Sequence, residues 1–387
     1  MQNGKMKVVI IGPAYPLRGG LATYDERLAR AFKEAGDEVR IVTFSLQYPD
    51  FLFPGQTQFS TEPGPPDLAI EVSLNSINPL SWLRVGRKLR AERPDVVVFR
   101  FWLPFMGPAL GTVARLVRGN GHTRVVAITD NVIAHEKRPG DGPFTRYFLR
   151  ACDGFVTMSR SVLSDLQQLG FEQKPAVYRP HPLYDNFGPI KPKTEALTAL
   201  KLSNATGYLL FFGFIRAYKG LDIMLEALAD KRLTELPIKL IIAGEFYEDA
   251  APYEALIQRH QLEDRIIRAT DFIPNEKVVD YFCAADLIVQ PYKNATQSGV
   301  SQIAYHFERP MLVTNVGGLA ELIPNGVVGY VVPPTPAAIA DAVVDFYANR
   351  REDTFAAGVR EEKKQFSWPV MVAALKEVAA AKFTTAL

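Results

Sequence analysis

The sequence predicts an α/β protein of two Rossmann-like, doubly wound domains that face each other across a cleft. Short apolar runs alternate with helical patterns in two successive arrays, over residues 7–178 and 208–332. Such alternation is typical of parallel sheets covered by helices. A polar stretch with several prolines, 186–206, separates the arrays, and 387 residues suit about two domains. We therefore expect a first domain at 1–185, a linker, and a second domain at 207–365.

The composition is that of an ordinary globular protein, with 48% hydrophobic and 22% charged residues. No apolar run reaches the roughly 20 residues that a membrane span requires, and the first apolar run is too short for a signal peptide. Cys152 and Cys283 lie far apart in helical patterns. This argues against a disulfide framework or a zinc site and favours a cytoplasmic location.

The net charge of +2 is unevenly distributed along the chain. Residues 1–185 carry 23 Lys and Arg against 18 Asp and Glu, whereas the remainder carries 21 against 24. A mildly basic first half favours anionic ligands or an anionic membrane surface. Its cations lack interleaved aromatics, which argues against nucleic acid. The basic helix expected at 79–92 is either a solvated face or a peripheral membrane contact.

The first array opens with a strand at 7–12, a glycine-rich loop, a helix from Leu21 to Gly36 and a strand at 38–44. Gly19 and Gly20 would let a ligand approach the backbone at the helix start, or would form only a tight turn. The loop lacks the Gly-x-Gly-x-x-Gly pattern of a nicotinamide site. After a loop at 45–78, helices are expected at 79–92, 107–118, 144–151 and 160–169, the last capped by Ser159, and strands at 95–100, 124–129, 153–158 and 177–178.

The second array begins with a stretch suited to hold an anion. The apolar strand 208–212 ends at Gly213, and a helical pattern starts at Leu221. The turn between them carries Arg216 and Lys219, a guanidinium fork and a mobile ammonium that suit a diphosphate. Ligands of open α/β sheets bind beyond the carboxyl ends of the strands, where this turn lies. The alternative is a solvated turn with two surface cations. Further strands are expected at 238–243, 266–269, 287–290, 311–314 and 329–332.

Several different short motifs follow one another in a fixed order along the chain. Gly19-Gly20 follows the first strand, Gly213-x-x-Arg216-x-x-Lys219-Gly220 opens the second array, and Gly317-Gly318-x-x-Glu321 lies near its end. Over almost the whole chain this series resembles the retaining nucleotide-sugar glycosyltransferases of family 4, which have the two-domain GT-B fold. Phe366-Ser367-Trp368 resembles the C-terminal helix that returns to the first domain in this family, which implies such a segment at 366–387.

The chain departs from the family pattern in the loop before its next-to-last predicted strand. The family usually carries two glutamates eight residues apart, and Ala295 and Ile303 stand in their places. A helix start is a plausible substitute, because free amides there attract anions. Thr296 or Ser298 would cap this helix, the amides of Ser298, Gly299 and Val300 would point at the anion, and Gln302 would replace one ribose contact. The alternative is that 296–299 is only a helix start.

The resemblance implies roles for further residues. It places a histidine near the sugar, beyond the fourth strand of the first domain, and His135 fits. This residue would orient a donor hydroxyl or relay a proton, acting with Arg216 and Lys219 as the catalytic set. Glu321 would contact the donor sugar or ribose. The sequence contains no Asp-x-Asp and no cluster with metal-ligand spacing, so neither a metal nor a cofactor is expected, and the nucleotide sugar is a co-substrate.

These features imply a retaining, hexosyltransferase-like and metal-independent enzyme of polysaccharide biosynthesis. Its donor would be a UDP- or GDP-sugar, and its acceptor a glycan, a lipid-linked sugar or a small molecule. We expect a cytoplasmic protein, with peripheral membrane contact through the basic first half as an option and no nucleic-acid partner. The alternatives are a nucleotide-sugar epimerase or phosphorylase of the same fold, or a degenerate homologue that binds nucleotides without turnover.

Overall fold

The computed structural model describes residues 4–49, 58–60, 63–133, 140–271, 273–295 and 298–381. The chain divides into two compact units. Unit 1 consists of Met1–Pro180 and Trp368–Leu387, and unit 2 consists of His181–Ser367. Within the described residues, no helix has both the length and the apolar character needed to cross a bilayer.

The strands are, in chain order, β1 (Lys7–Ile11), β2 (Glu38–Leu46), β3 (Ile70–Asn75), β4 (Val96–Phe101), β5 (Arg124–Thr129), β6 (Gly154–Thr157), β7 (Ala176–Tyr178), β8 (Gly207–Phe212), β9 (Ile238–Ala243), β10 (Ile266–Ala269), β11 (Leu287–Gln290), β12 (Met311–Thr314) and β13 (Gly329–Val332). The helices are α1 (Gly20–Glu34), α2 (Pro79–Glu92), α3 (Gly107–Arg118), α4 (Asp141–Ala151), α5 (Arg160–Gln168), α6 (Lys193–Ala199), α7 (Leu221–Leu228), α8 (Lys231–Thr234), α9 (Ala251–Arg259), α10 (Asn275–Ala284), α11 (Gly299–His306), α12 (Pro336–Ala348), α13 (Glu352–Glu362) and α14 (Trp368–Ala380).

Unit 1 is built on a seven-stranded parallel sheet of order β3-β2-β1-β4-β5-β6-β7. The central strand β4 is buried along its whole length, as expected of an apolar strand with helices on both faces. Helices α2 to α5 pack in the apolar cluster on one face, whereas α1 and α14 pack in the cluster on the other. The strand order reverses between β1 and β4, so the topological switch point lies there.

The first array confirms most of the predicted elements and corrects one. Ser159 caps α5, since its hydroxyl accepts a hydrogen bond from the Val162 amide at 3.2 Å. The stretch 45–78, predicted as loop, contains the edge strand β3. The sequence Ile-Glu-Val-Ser-Leu-Asn of β3 alternates apolar and polar residues, and only Leu74 in it is fully buried. An edge strand with so little burial gives a weak apolar signal.

Unit 2 is built on a six-stranded parallel sheet of order β10-β9-β8-β11-β12-β13, with its switch point between β8 and β11. Five of its strands have the predicted bounds, and β8 starts one residue earlier. The stretch 186–206, predicted as a linker, contains helix α6. Ala196 and Leu197 of α6 are buried in the apolar core of unit 2 together with residues of α10. The two parallel sheets confirm the predicted class of two doubly wound α/β domains.

Candidate active site

A cavity of about 370 Å³ lies in unit 2 where the strand order reverses. The ends of β8 and β11 flank this point, so it is the place where open α/β sheets bind ligands. Gly213, Lys219 and Tyr292 line the cavity beside these strand ends, and Ser298, Gly299 and Val300 line it from the start of α11. The structure therefore brings five of the predicted site residues together in one cavity: Gly213, Lys219, Ser298, Gly299 and Val300.

Two glycines shape the turn that follows β8. Gly213 has a φ of 90° and Gly220 a φ of 70°, a backbone conformation that glycine adopts readily. A Cβ on Gly220 would stand 1.9 Å from the carbonyl oxygen of Pro291, so only glycine fits against the end of β11. Between them, Ala217–Lys219 forms one 3-10 turn. This turn brings the Lys219 ammonium close to Gly213, at 3.0 Å from the position that a Cβ atom on Gly213 would occupy.

Lys219 carries a buried positive charge. It is 8% exposed, and no carboxylate forms an ion pair with it among the residues that the structure describes. Burial, with a smaller contribution from the Arg216 charge, lowers its pKa to about 8. An ammonium held this way is poorly solvated, and a bound anion would restore the missing interactions. The Nζ atom lies 5.8 Å from the centre of the Tyr292 ring, a weak substitute for a carboxylate.

Arg216 lies on the exposed side of the same turn and does not line the cavity. Its guanidinium carbon lies 5.1 Å from the centre of the Tyr247 ring. The rings of Tyr247 and Phe214 are 4.2 Å apart, and both are about half exposed. The structure thus places Arg216 at an aromatic surface beside the cavity, and its contact with a donor phosphate stays a prediction.

The start of α11 presents backbone to the cavity, but not through the predicted cap. Thr296 lies outside the described residues. Ser298 stands at the N-cap position, yet its side chain accepts no hydrogen bond from the helix. Its hydroxyl lies instead 3.3 Å from the buried Tyr292 hydroxyl. The prediction that the Ser298 side chain caps α11 is therefore wrong.

We expect Ser298→Ala to cost about 1 kcal/mol of unfolding free energy, because it leaves the Tyr292 hydroxyl buried without a partner. The same substitution made in a Tyr292→Phe background should cost little. Urea unfolding of the parent, both single variants and the double variant measures this coupling. Equal costs of Ser298→Ala in both backgrounds would instead indicate a capping role.

Gln302 and Glu321 are not brought into the cavity. Helical periodicity turns Gly299, Val300 and Ile303 toward the cavity, and Gln302 toward the interior, where it is 2% exposed. Among the described residues, neither polar atom of the Gln302 amide finds a hydrogen-bond partner. The prediction that Gln302 takes over a ribose contact therefore has no support in the cavity lining. Glu321 is exposed in a 3-10 turn, Ala320–Leu322, outside the cavity lining.

The sequence analysis missed most of the cavity wall. Its apolar part includes Tyr184, Phe187, Phe212, Ile273, Val278 and Ile303. Glu245 and Asn275 add polar groups, the first just beyond β9 and the second at the first residue of α10. Their position next to strand ends is a signal that could have found them. Nothing local marks Tyr184 and Phe187, which precede α6.

In unit 1 the predicted residues are only partly placed. Gly19 has a φ of 108°, and a Cβ on Gly19 or Gly20 would meet nothing within 4 Å, so the start of α1 is open. His135 lies outside the described residues.

At the switch point of unit 1 the structure adds a buried pair that the sequence analysis did not single out. The Arg100 guanidinium donates two hydrogen bonds, of 2.7 and 2.8 Å, to the Asp130 carboxylate.

Asp25 completes this buried polar cluster. It is fully buried, and neither of its carboxyl oxygens has a hydrogen-bond partner in the part of the chain that the structure describes. Burial raises its pKa well above the usual value, and the Arg100 charge opposes the shift. A Cβ on Gly12 would stand 2.1 Å from Asp25 Oδ2, which explains the glycine after β1. Over the stretches that the structure describes, no group of three or more His, Cys, Asp or Glu is arranged to hold a metal ion.

Two family models match the chain, one in each half. Residues 18–182 match the model described as Glycosyltransferase Family 4, and 206–349 match Glycosyl transferases group 1. A D-inositol 3-phosphate glycosyltransferase of Xylanimonas cellulosilytica is 27% identical over 93% of this chain and 91% of its own. The D-rhamnosyltransferase WbpZ of Pseudomonas aeruginosa is 28% identical over 68% of this chain and 67% of its own.

Solved structures show the same fold. A glycosyltransferase from Rickettsia africae superposes with a TM-score of 0.72 at 14% identity, over 98% of this chain and 100% of its own. HepE of Anabaena, in complex with UDP, superposes with a TM-score of 0.69 at 16% identity, over 97% of this chain and 98% of its own. At these identities the likeness shows the fold alone, which is that of the GT-B glycosyltransferases. The two family models together cover most of both units and show that the chain belongs to glycosyltransferase family 4.

Proposed function

We propose that this glycosyltransferase transfers a sugar from a UDP- or GDP-sugar to a glycan or lipid-linked acceptor, with retention of configuration and without a metal. The observation that carries the proposal is the buried Lys219 ammonium, which lines a cavity at the switch point and pairs with no carboxylate of the described residues. A donor diphosphate would supply the missing negative charge.

Three groups would hold the diphosphate. The Lys219 ammonium lies next to Gly213, where the absence of a side chain lets a phosphate approach the backbone. The first amides of α11, at Gly299 and Val300, line the same cavity and carry the positive end of the helix dipole. Arg216 would add a contact from the rim by leaving Tyr247. These charges would meet the growing charge on the leaving diphosphate, an electrostatic role in the transition state.

The rest of the cavity suits a nucleoside. About 370 Å³ lies within the range of small-molecule sites, and the walls are mostly aromatic and aliphatic, with few polar groups. Ile303 lies in this wall, so the polar contacts to base or ribose would come from Glu245 and Asn275. The complexes of HepE with UDP and with UDP-glucose support a nucleotide-sugar donor for this chain as well.

In the transfer step, the bond from the anomeric carbon to the diphosphate oxygen breaks, and a bond to the acceptor hydroxyl oxygen forms. The transition state has oxocarbenium character. His135 remains our candidate for orienting a donor hydroxyl or relaying a proton, and Gly19 and Gly20 remain candidates for donor binding. Glu321 remains a candidate for a sugar contact.

The proposal is tested by incubating the protein with a panel of UDP-, GDP- and ADP-sugars and measuring the release of nucleoside diphosphate. Slow release without an acceptor supports a transferase, and the anomeric proton coupling of a product in NMR decides retention. Appearance of a free sugar epimer would point to the epimerase alternative. Nucleotide binding without turnover of any donor would support a non-catalytic homologue.

We expect turnover to persist in EDTA, because Lys219 and the α11 amides would neutralise the leaving diphosphate in place of a metal. The measurement is the rate of nucleoside diphosphate release before and after chelation. Complete loss of turnover that magnesium or manganese restores would contradict metal independence, while leaving the assignment as a transferase intact.

Gly299→Val should weaken nucleoside diphosphate binding at least about tenfold, since each charge-assisted contact is worth roughly 1.5–3 kcal/mol. A Cβ there already comes within 3.3 Å of Tyr184, and the valine methyl groups would enter the cavity. Gly142→Val is the matched control, because Gly142 also lies in a first helical turn but in open space in unit 1. Calorimetric affinities compare the two, and an unchanged affinity of Gly299→Val would place the diphosphate elsewhere.

A further inference from the structure

The Lys219 side chain combines burial with access to a cavity. It is 8% exposed, yet it lines the cavity at the switch point of unit 2 and lies beside Gly213, which has no side chain to shield it. A small molecule that enters the cavity therefore meets this amino group directly. The proposed donor site uses only its positive charge, but a lysine that has lost its proton is also a nucleophile.

Little charge faces Lys219 across the cavity. Arg216 on the same turn is a second cation, and burial followed by this charge lowers the Lys219 pKa. Glu245 is the carboxylate that lines the cavity, but no carboxylate of the described residues contributes to this pKa shift. The lining residues from α10 and α11 are uncharged. The other titratable groups of the described lining are the phenols of Tyr184, Tyr218 and Tyr292.

The uncharged form of Lys219 is well populated near neutral pH. With a pKa of about 8, about half of the Lys219 side chains are uncharged at pH 8 in the free protein. A lysine with the ordinary pKa of 10.5 is uncharged to only about 0.3% at the same pH. Lysines that are desolvated or placed next to another cation are activated as nucleophiles in this way.

The start of α11 offers an anchor for a phosphate group next to this amine. The first amides of α11, at Gly299 and Val300, line the cavity. A Val300 methyl carbon lies 3.9 Å, and the Lys219 nitrogen 3.0 Å, from the position that a Cβ atom on Gly213 would occupy. The helix start and the buried amine thus flank one small volume, and a helix start attracts anions.

We propose that Lys219 is a site of covalent modification by acyl phosphates, of which acetyl phosphate is the simplest. The phosphate group would lie at the start of α11, and the acyl group would lie against the rings of Phe212 and Tyr292, which line the same cavity. An acyl donor without a phosphate lacks this anchor, so the cavity favours the phosphorylated class.

The reaction needs no further reactant. The uncharged Lys219 nitrogen attacks the carbonyl carbon, a C–N bond forms, and the bond from this carbon to the phosphate oxygen breaks. The phosphate leaves with that electron pair and takes up the proton that the nitrogen releases. The products are an amide on Lys219 and inorganic phosphate.

Acylation would switch the donor site off. The amide carries no positive charge, and the acyl group would occupy the space beside Gly213 where a diphosphate would lie. The modification requires only the cavity and the amine, whereas its effect on donor binding rests on the proposed function.

The first test measures acetylation at each lysine by peptide mass spectrometry, after incubation of the protein with acetyl phosphate at pH 8. Lys219 should react at least about tenfold faster than Lys293 and Lys231, because it has roughly a hundredfold more uncharged amine, part of which is lost when a bound phosphate raises the pKa. Lys293 is the matched comparison, since it is exposed beside the same turn and pairs with Asp222. Equal rates at the three lysines would overturn the proposal.

The second test addresses the phosphate anchor. Inorganic phosphate should slow the acetylation of Lys219 several-fold and leave that of Lys293 unchanged. N-acetylimidazole, a neutral acyl donor, should show a smaller preference for Lys219. Gly299→Val should slow the reaction of Lys219 with acetyl phosphate, whereas Gly142→Val should not. If inorganic phosphate gives the parent protein no protection, the anchor is wrong and the proposal falls, whether or not Gly299→Val folds.

The third test separates this inference from the proposed function. Calorimetry should show that acetylated protein binds UDP at least about tenfold more weakly than the parent. Selective acetylation of Lys219 with unchanged UDP affinity would support the modification site but place the donor diphosphate elsewhere. UDP binding that requires Lys219, without selective acetylation, would overturn this inference and leave the proposed function intact.

Discussion

Lys219→Met should lower the affinity for nucleoside diphosphate by one to two orders of magnitude, because one charge-assisted contact is worth about 1.5–3 kcal/mol. Lys219 lines the cavity and has no carboxylate partner in the described chain, so the bound anion would be its principal counter-ion. Arg216→Met should have a smaller effect, since its guanidinium is exposed and rests on Tyr247.

The pH dependence of binding follows from the pKa of Lys219, which burial lowers to about 8. Below pH 8 the ammonium is charged in the free protein, and affinity should be highest there. A bound diphosphate favours the charged form, so its pKa rises in the complex and binding takes up a proton above pH 8. Affinity should therefore fall as the pH rises through 8, and Lys219→Met should remove this dependence.

The same lysine should destabilise the free protein. The pKa of Lys219 in the folded protein, about 8, lies below the ordinary value of 10.5. Burying the charged ammonium therefore lowers the free energy of unfolding by its full amount below pH 8, and this loss disappears as the pH rises toward 10.5. At neutral pH this cost is of the order of 3 kcal/mol, which Lys219→Met would recover. Loss of binding together with higher stability is a signature of a functional charge.

Calorimetric titration with UDP and GDP between pH 7 and 9.5, in buffers of different ionisation enthalpy, measures affinity and proton uptake together. Lys293→Met is the matched control, because Lys293 lies near the same turn but pairs with Asp222 at its exposed surface. If Lys219→Met binds with the affinity and the pH profile of the parent, Lys219 does not hold the diphosphate.

The sequence predicted the strands of unit 2 well because they are short and mostly apolar, and the inner strands β9, β11 and β12 are almost fully buried. Strand β11, for example, is fully buried and has the bounds that its Leu-Ile-Val-Gln run suggested. Strand β3 escaped prediction because it lies at an edge and alternates polar and apolar residues after a proline-rich stretch. Helix α6 escaped because only Ala196 and Leu197 anchor it, among polar residues and prolines.

The candidate site was predicted as far as motifs at strand ends could show it. Gly213, Lys219 and Gly299 come directly from such motifs and meet in the cavity. Gln302 was assigned because it lies close to Gly299 in sequence, yet its side chain is buried in the interior and does not line the cavity. Tyr184 lies more than a hundred residues away from Gly299 in sequence, so only the folded chain shows that it faces this glycine.

The buried cluster in unit 1 was out of reach for the same reason. Asp25 lies on α1, Arg100 on β4, and Asp130 just beyond β5, and no spacing links them. Buried charges of this kind destabilise a fold strongly once they lose a partner. We therefore expect a large loss of stability when a residue of this cluster is replaced.

Arg100→Met should destabilise unit 1 by about 3–5 kcal/mol at pH 8, because it leaves the Asp130 carboxylate without its cation. Arg100 also opposes the burial that raises the pKa values of Asp130 and Asp25. Without Arg100 the pKa values of both carboxyl groups should rise further, so the folded variant binds more protons than the unfolded chain. Its stability should then fall as the pH rises through these pKa values, and the loss should be smaller at pH 5 than at pH 8.

All three tryptophans of the chain, Trp82, Trp102 and Trp368, belong to unit 1, so their fluorescence in urea reports its unfolding alone. Arg40→Met is the matched control. Arg40, on β2 of the same sheet, pairs with Glu71 on β3 and Glu92 on α2, but these partners are partly exposed, and the cost should stay below about 1 kcal/mol. Adding Asp130→Asn to Arg100→Met should restore part of the loss, since the amide carries no charge. The assigned role of the Arg100–Asp130 pair would be contradicted if Arg100→Met lost as little unfolding free energy at pH 8 as Arg40→Met. It would also be contradicted if the loss were equal at pH 5 and pH 8.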